Sequence, residues 1–177
     1  MPFEFYFLDW LQTIHTPFLD ALAVFFDTAG AHGELWILMA VLLLCFRRTR
    51  KAGAACALAL ILYLLVGNMM LKPFFARPRP CDLRTVEMLV PRPHGHSFPS
   101  GHTASAFAAA FALWLEHKRL GAIALAVAAF IGFTRLYLYV HFPTDVLGGL
   151  LLGCALGTAG AAIVNHLAKA FRKKQNV

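Results

Sequence analysis

Apolar stretches recur along this chain, and they constrain its fold more than any other feature. They have roughly the length, about 17 to 25 residues, that crosses a hydrocarbon layer as a helix, and short polar or proline-rich breaks separate them. Apolar residues make up 59% of the chain and charged residues only 14%, unlike a soluble domain. Because backbone polar groups in lipid must be satisfied internally, we expect an all-α integral membrane helical bundle.

About six transmembrane helices are expected, preceded by an amphipathic helix. Residues 3–14 carry apolar side chains at helical spacing with Glu4 and Asp9 among them, which predicts a helix in the membrane interface or the start of the first span. The short segments 17–30 and 34–46 are interpreted as a hairpin of two spans. The other expected spans are 52–71, 101–116, 119–138 and 143–167. We treat residues 1–177 as one membrane-embedded domain.

Residues 73–99 contain six of the nine prolines, so they cannot continue a helix and are expected to form a long ordered loop. Long ordered loops are often functional. In the last span Gly149, Gly153 and Gly157 recur at every fourth position, which favours close packing against another helix in lipid.

Lysine and arginine are distributed unevenly between the two sides of this six-span arrangement. One side holds ten of them and the other holds six. The positive-inside rule places the first side and both termini in the cytoplasm. We therefore expect a multi-pass protein of the plasma membrane, with loop 73–99 outside the cytoplasm. The larger group is Arg47, Arg48, Arg50, Lys51, Lys118, Arg119, Lys169, Arg172, Lys173 and Lys174, and the smaller is Lys72, Arg77, Arg79, Arg84, Arg92 and Arg135.

Charge and cysteine usage argue against several other classes. The net charge is +7, but the basic residues cluster between apolar segments rather than along one soluble face, so no nucleic acid partner is expected. Cys45, Cys56, Cys81 and Cys154 show neither a disulfide framework nor a paired ligand motif. The amino-terminal region lacks a basic stretch ahead of a short apolar core, so no cleavable signal peptide is expected.

Four segments that are distant in sequence reach the outer face in this arrangement. They are residues 72–80, residues 99–102, Arg135 at the end of the fifth expected span, and residues 141–145 at the start of the sixth. Because neighbouring spans pack as a bundle, their outer ends should converge on one pocket that holds cations, two histidines and a carboxylate.

The cations Lys72, Arg79 and Arg135 would supply the positive charge that a phosphate dianion needs. Ser100 and Gly101 stand where a proline-bounded loop enters a helix, so Ser100 can cap the helix and free backbone N–H groups can bind phosphate. Gly101 would let the anion approach the backbone closely. The alternatives are basic side chains that extend to the interface and a plain helix cap without a ligand.

His141 and Asp145 lie four residues apart, and Pro143 between them suits the first position of a helix. Asp145 can then reach the imidazole, set its tautomer and stabilise its charged form. An imidazole can attack phosphorus directly to give a phosphohistidine. His102 would protonate the leaving oxygen and then activate water. The alternative is a structural histidine beside a capping aspartate, although ionisable residues at membrane depth favour a functional role.

At these residues the chain resembles the type 2 phosphatidic acid phosphatase family of membrane lipid phosphatases. The family has three signatures: Lys-x6-Arg-Pro, Pro-Ser-Gly-His and Ser-Arg-x5-His-x3-Asp. Here they are KPFFARPRP from Lys72 to Pro80, PSGH from Pro99 to His102, and TRLYLYVHFPTD from Thr134 to Asp145. Thr134 replaces the usual serine and keeps a hydroxyl. Arg77 also precedes a proline, but its spacing from Lys72 does not fit the signature.

The resemblance implies roles for eight residues. It assigns phosphate binding to Lys72, Arg79, Ser100, Gly101 and Arg135, and catalysis to His141 as nucleophile, His102 as acid and Asp145 as the partner of the nucleophile. It also implies catalysis without a metal or other cofactor. The implied substrates are membrane lipids: undecaprenyl diphosphate, phosphatidylglycerol phosphate, phosphatidic acid or lipid A phosphates.

Three other interpretations stay open. His94, His96 and His102 suggest a metal site, but no further ligand with convincing spacing joins them. A vanadium-dependent haloperoxidase uses similar histidines and a similar anion cradle, but such enzymes are soluble. A transporter or scaffold that binds an anion without catalysis would leave the His141 and Asp145 pair without a task.

Overall fold

The computed structural model describes residues 2–30 and 33–175, and all regular secondary structure in these residues is helical. The α-helices are α1 (Pro2–Gln12), α2 (Pro17–Gly30), α3 (Glu34–Cys45), α4 (Arg50–Tyr63), α5 (Lys72–Phe75), α6 (Pro80–Leu83), α7 (Gly101–Glu116), α8 (Lys118–Tyr137) and α9 (Pro143–Gln175). A π-helical segment, Leu64–Leu71, joins α4 to α5. The predicted all-α membrane class is confirmed, because three helical stretches in the described residues are long and apolar enough to span a membrane, or four if a bent pair counts as one.

The third expected span is longer than predicted. Helix α4, the π-helical segment and α5 follow one another without a break, so helical structure continues through Lys72 to Phe75 instead of ending at Leu71. Pro73 does not stop it: it follows the π-helical segment directly and is the second residue of α5. Segments of π-helix are rare and occur often at functional sites. Here the segment ends directly before the first signature lysine.

Most of the contacts that define the bundle are made by α7, which packs between α8, α9 and α4. The predicted packing role of the glycine stripe is confirmed. A Cβ atom at Gly149 would lie 2.8 Å from the backbone oxygen of Ser100, just before α7. A Cβ atom at Gly153 or Gly157 would lie 2.6 or 2.7 Å from a backbone oxygen of α7. Only glycine permits this approach, so the stripe brings the backbones of α7 and α9 together. This contact aligns the starts of both helices at one end of the bundle.

The two ends of the bundle are identified by contacts between helix termini. We call the end where α5, the first turn of α7 and the first turn of α9 meet the site end. At the opposite end, Lys51 near the start of α4 pairs with Glu116 at the end of α7, with Nζ and Oε2 3.1 Å apart. Asn165 late in α9 donates to the same Glu116 carboxylate at 2.8 Å.

The expected hairpin of segments 17–30 and 34–46 is wrong. Helices α2 and α3 are bent by 62° relative to each other, whereas a hairpin requires a nearly complete reversal. At the site end, the Thr16 N–H just before α2 donates to the Tyr137 hydroxyl at 3.2 Å. At the opposite end of the bundle, Arg50 Nε donates to the Leu44 carbonyl near the end of α3 at 3.2 Å. The pair therefore crosses the bundle once.

This single crossing changes the expected topology. In the described residues, five helical stretches run between the two ends of the bundle instead of six: the α2–α3 pair, the α4–α5 stretch, α7, α8 and α9. Three of them, or four with the bent pair, are long and apolar enough to span a membrane. Helix α1 consequently lies at the site end, whereas α9 ends on the other side, so the two do not share a side as the six-span arrangement required. The lysine and arginine count is unaffected, because residues 1–46 contain neither residue.

Candidate active site

The site end brings together the segments that carry the predicted site residues. Lys72 comes from α5, Ser100 and His102 from the start of α7, and Arg135 from the last turn of α8. Lys72 lies against the first residue of α7: a Cβ on Gly101 would sit 3.2 Å from Lys72 Nζ and 2.8 Å from the Tyr63 hydroxyl. A side chain at position 101 would therefore displace both groups from the start of α7.

Ser100 precedes α7 as predicted, but its side chain does not cap the helix. Its hydroxyl oxygen instead accepts a hydrogen bond from the Thr103 hydroxyl at 3.0 Å, and its backbone N–H donates to the Asp145 carbonyl at 3.0 Å. Because the serine does not occupy the first N–H groups of α7, they stay open to an anion at the positive end of the helix dipole.

Arg79 is 4% exposed and is the most extensively bonded cation of the site. Its Nε donates to the Gly95 carbonyl at 3.1 Å, and its Nη2 lies 3.5 and 3.4 Å from the carbonyls of His94 and His96. Its Nη1 donates to the Val140 carbonyl at 3.0 Å and contacts His141 Nε2 at 3.1 Å. The loop before α7 thus wraps around one guanidinium and aims it at the imidazole.

The contact with Arg79 defines the tautomer of His141. A guanidinium has only donors, so His141 Nε2 must accept from it, and the proton of the neutral ring is on Nδ1. On that side Nδ1 is 3.2 Å from Ser97 Oγ and 3.6 Å from Asp145 Oδ2. Ser97 in turn donates to Asp145 Oδ2 at 2.5 Å. Asp145 reaches back to the imidazole as predicted, but mainly through the Ser97 hydroxyl.

Asp145 is fully buried, and its carboxylate is held by several donors besides Ser97. The Phe142 N–H donates to Oδ2 at 2.8 Å, and Arg77 Nη1 donates to Oδ1 at 2.5 Å. Helix α9 begins at Pro143, as predicted, so the carboxylate also lies at the positive end of a helix dipole. These interactions keep the buried carboxylate charged and oriented.

His141 lies in the turn between α8 and α9, and its environment favours the neutral imidazole. Burial and the nearby Arg79 cation lower the pKa of His141 to about 4, although the neighbouring Asp145 carboxylate opposes both effects. Because the pKa is lowered, the neutral form dominates at every pH above that value. His141 Nε2 therefore presents a lone pair at neutral pH, as a nucleophile requires.

We expect histidine-labelled protein to show this lowered pKa directly. In NMR titrations of the detergent-solubilised protein, the His141 resonance, assigned by its loss in His141→Gln, should titrate with a midpoint of about 4. Free histidine titrated in the same buffer serves as the reference, with its ordinary pKa of about 6.5. A midpoint for His141 at or above that of free histidine would contradict the geometry described here.

Arg135 is also buried, and its partner comes from α2. Its Nη1 pairs with Asp27 Oδ1 at 2.5 Å, while Nη2 donates to the Thr134 hydroxyl at 2.9 Å. His102 Nε2 lies 3.4 Å from the Asp27 backbone carbonyl. The family signature usually has serine at this position, and Thr134 keeps the hydroxyl. This hydroxyl therefore orients Arg135. Asp27 joins the arginine and the second histidine of the site.

Four residues of this network were not predicted from the sequence as site residues: Ser97, Arg77, Asp27 and Glu4. Ser97 lies two residues before the second signature, and Arg77 was set aside because its spacing was wrong for the first. Asp27 and Glu4 are carboxylates in otherwise apolar helices, and that composition was the available signal. None of the four stands at a signature position.

The metal interpretation of the histidines gains no support from the geometry. His94 and His96 are exposed and contribute their backbone carbonyls to Arg79, as described above. Within residues 2–30 and 33–175, no group of three or more His, Cys, Asp or Glu side chains is arranged to hold a metal ion. The chemistry of the cluster is that of an anion site: buried cations, an open helix start and a neutral imidazole.

Comparisons with known proteins agree with this chemistry. A family model described as the PAP2 superfamily matches residues 51–169. An undecaprenyl-diphosphatase of Sulfolobus acidocaldarius is 33% identical over 137 residues, which cover 76% of this chain and 66% of that protein. The match confirms the resemblance that the three signatures indicate.

Two solved structures are similar over most of the fold. The crystal structure of Aquifex aeolicus LpxE aligns with a TM-score of 0.73 and 34% identity, covering 86% of this chain and 91% of that one. A transmembrane PAP2 type phosphatidylglycerolphosphate phosphatase from Bacillus subtilis aligns with a TM-score of 0.73 and 27% identity, covering 97% and 85%. The helical membrane architecture is therefore shared with these proteins.

Proposed function

The chain belongs to the PAP2 superfamily, and on that premise we propose that it is a membrane lipid phosphatase that works through a phosphohistidine at His141. The observation that carries the proposal is the position of His141 Nε2, which is 3.1 Å from a buried arginine while Nδ1 faces Ser97 and Asp145. One ring nitrogen thus carries a lone pair beside the arginine that attracts the anion, and the other nitrogen is oriented by Ser97 and the Asp145 carboxylate.

In the first step, the lone pair of His141 Nε2 attacks phosphorus and forms a P–N bond. The bond between phosphorus and the lipid oxygen breaks, and His102 gives its proton to that leaving oxygen. The ring of His141 becomes positively charged as it is phosphorylated. Asp145, reached through Ser97, stabilises that charge.

In the second step, water hydrolyses the phosphohistidine. His102, now neutral, takes a proton from the water as its oxygen attacks phosphorus, and the P–N bond breaks. Inorganic phosphate leaves, the electron pair returns to His141 Nε2, and His102 is protonated again. The cycle uses only side chains of this chain, in line with the metal-independent chemistry that the resemblance implies.

Bound phosphate would replace protein acceptors at two of the cations. Arg79 Nη1 now donates to the attacking nitrogen itself, and this donor can move to a phosphate oxygen as Nε2 bonds to phosphorus. Arg135 Nη1 now pairs with Asp27, so phosphate competes with that carboxylate for it. Lys72 beside Gly101 and the open start of α7 complete the cradle.

We place the site on the extracytoplasmic face of the plasma membrane. The opposite end of the bundle carries ten of the sixteen lysines and arginines, which the positive-inside rule assigns to the cytoplasm. At the site end, Arg77, Arg79 and Arg135 engage Asp145, His141 and Asp27 instead. Residues 73–99 then form an extracytoplasmic active-site loop, and the lipid headgroup enters from the outer leaflet.

The substrate class is a phosphate or diphosphate on an amphipathic lipid. Large apolar side chains are exposed around the bundle and next to the site, among them Phe74 at 80% exposure. A lipid chain can therefore stay in the bilayer while its headgroup reaches His141. The relatives named above act on undecaprenyl diphosphate and phosphatidylglycerol phosphate by their names. We include both here, together with phosphatidic acid and lipid A phosphates.

Release of inorganic phosphate from these four lipids by the purified protein tests the proposal. We expect turnover of at least one of them, unchanged by EDTA and inhibited by vanadate, which mimics the five-coordinate phosphorus of the transition state. Activity that EDTA abolishes and zinc or magnesium restores would favour a metal enzyme. Halide oxidation in the presence of vanadate would favour the haloperoxidase interpretation. Anion binding without hydrolysis of any of the lipids would favour a transporter or scaffold.

A further inference from the structure

The inner face of α1 reaches into the hydrogen-bond network of the site. Glu4 Oε2 accepts from Arg77 Nη2 at 2.9 Å, and the same guanidinium donates to Asp145 through Nη1. The other carboxylate oxygen, Oε1, accepts from the Thr144 hydroxyl at 2.6 Å and from the Thr144 N–H at 3.3 Å. One carboxylate of α1 thus contacts the residue beside Asp145 and the arginine that binds Asp145.

A second carboxylate of α1 contacts the other side of the same turn. Asp9 Oδ1 accepts from the Tyr139 hydroxyl at 2.7 Å, and Asp9 Oδ2 pairs with Arg84 at 2.5 Å. Tyr139 is 1% exposed and has a φ of +60°, in the left-handed region that side chains other than glycine seldom adopt. Such a conformation persists where its surroundings enforce it, and here the turn leads directly to Val140 and His141.

Apolar side chains pack between the contacts that Glu4 and Asp9 make. Leu8 and Leu11 are at most 1% exposed and form a cluster with Tyr139 and Phe142, the residues on either side of Val140 and His141. The Phe5 ring meets the Phe142 ring edge-on at a centroid distance of 5.4 Å. The guanidinium of Arg77 also lies over the Phe142 ring at 4.1 Å. Helix α1 therefore covers the turn that bears the nucleophile.

The outer face of α1 is aromatic and mostly exposed. Phe3 is 79% exposed, Tyr6 is 75% exposed and Trp10 is 55% exposed. Aromatic side chains with polar groups are enriched at the boundary between lipid chains and headgroups. Because α1 lies at the site end of a membrane-spanning bundle, this face suits the lipid interface itself. The same helix thus contacts the interface outside and the nucleophile turn inside.

We propose that α1 is an interfacial brace, in which Glu4 and Asp9 are positioning residues that hold the turn of residues 139–145. Glu4 acts through Arg77 and Thr144 on Asp145, and Asp9 acts through Tyr139 on the approach of the chain to His141. Lipid at the aromatic face keeps the helix seated over the turn. The inference rests on the proposed phosphatase function, because it names elements that position the same nucleophile.

Glu4→Gln is the first test, because it keeps the shape of the side chain and the apolar packing of α1. We expect kcat to fall about tenfold with little change in KM, as for the loss of a charge-assisted hydrogen bond made to the catalytic assembly. The fall in kcat should be larger for Glu4→Ala. The matched control is Glu116→Gln, which removes an ion-paired carboxylate at the end of the bundle opposite the site and should leave kcat unchanged. Asp9→Asn tests the contact of Asp9 with Tyr139 in the same way.

Two further measurements distinguish positioning from other roles. The factor by which kcat falls should be equal for a lipid phosphate and for a water-soluble aryl phosphate, because the same nucleophile attacks both. In the double variant of Glu4→Gln with Arg77→Lys, the loss should be smaller than the product of the single losses, since both act through one contact. Thermal unfolding midpoints near that of the wild type would show that the fold persists.

A loss confined to the KM for the lipid would make α1 a lipid-docking helix and overturn the brace. Wild-type rates in Glu4→Gln, Glu4→Ala and Asp9→Asn would also overturn it. If the unaltered protein hydrolyses no phosphate ester, the proposed function itself fails, so the two failures are distinguishable.

Discussion

Replacing His141 with glutamine is expected to abolish turnover. Glutamine has nearly the length of the imidazole side chain and can accept from Arg79, but it cannot form a stable bond to phosphorus. The loss in kcat should be about ten-thousandfold or more, as for removal of a nucleophile elsewhere. Phosphate release from a lipid phosphate in mixed micelles measures it.

The matched control for this variant is His117→Gln. His117 is an exposed histidine between α7 and α8, at the end of the bundle opposite the site. This change should preserve kcat, and both variants should unfold near the temperature of the wild type. Near-normal turnover in His141→Gln would refute the assignment of His141 as the nucleophile.

Replacing His102 with glutamine should separate the two steps of the reaction. The lipid oxygen of a phosphomonoester is a poor leaving group, so without an acid the kcat for the lipid should fall about a hundredfold to ten-thousandfold. An activated aryl phosphate needs no proton from His102, so phosphorylation of His141 should continue. The second step should then stall, because water has lost its base. We expect the phosphoenzyme to accumulate in this variant.

A burst of the aryl alcohol, equal in amount to the enzyme and followed by a slow steady state, measures this accumulation. The trapped phosphoryl group should be labile to acid and stable to alkali, as for a phosphohistidine, and the double variant with His141→Gln should show no label. If the rates with both substrates fall alike and without a burst, His102 does not act as the acid and base. Label that persists without His141 would identify another nucleophile.

The local arrangement of the candidate site followed from short spacings. Four residues separate His141 from Asp145, and a proline between them starts a helix, so the carboxylate had to lie near the ring. A proline-bounded turn before Gly101 likewise placed His102 in the first turn of α7. Such geometry depends on a few backbone dihedrals within one segment, and these are restricted by the residues themselves.

The path of the first two apolar segments did not follow from the sequence. A hydropathy profile gives the length of a segment and how apolar it is. It does not show whether the next segment reverses or continues in the same direction. Residues 17–30 and 34–45 are each too short to cross alone, and two such halves can reverse or continue. Here α2 continues into α3, because Thr16 packs on Tyr137 at one end and Leu44 meets Arg50 at the other.

The partners of the site residues were decided by the tertiary structure in the same way. Glu4 meets Arg77 across 73 positions of sequence, and Asp27 meets Arg135 across 108. No periodicity links residues so far apart, because each pair depends on how whole helices are oriented.

Composition and spacing by themselves determined that this chain is a helical membrane bundle, which cations and histidines gather at its site end, and that His141 and Asp145 lie close together. Lipid requires the helical bundle, because unsatisfied backbone polar groups are costly there. Local backbone geometry brings the site residues of one segment together. Only the tertiary structure decided the five crossings, the Ser97 bridge and the position of α1 over the nucleophile turn. These depend on packing between distant segments, which the order of residues along one segment does not encode.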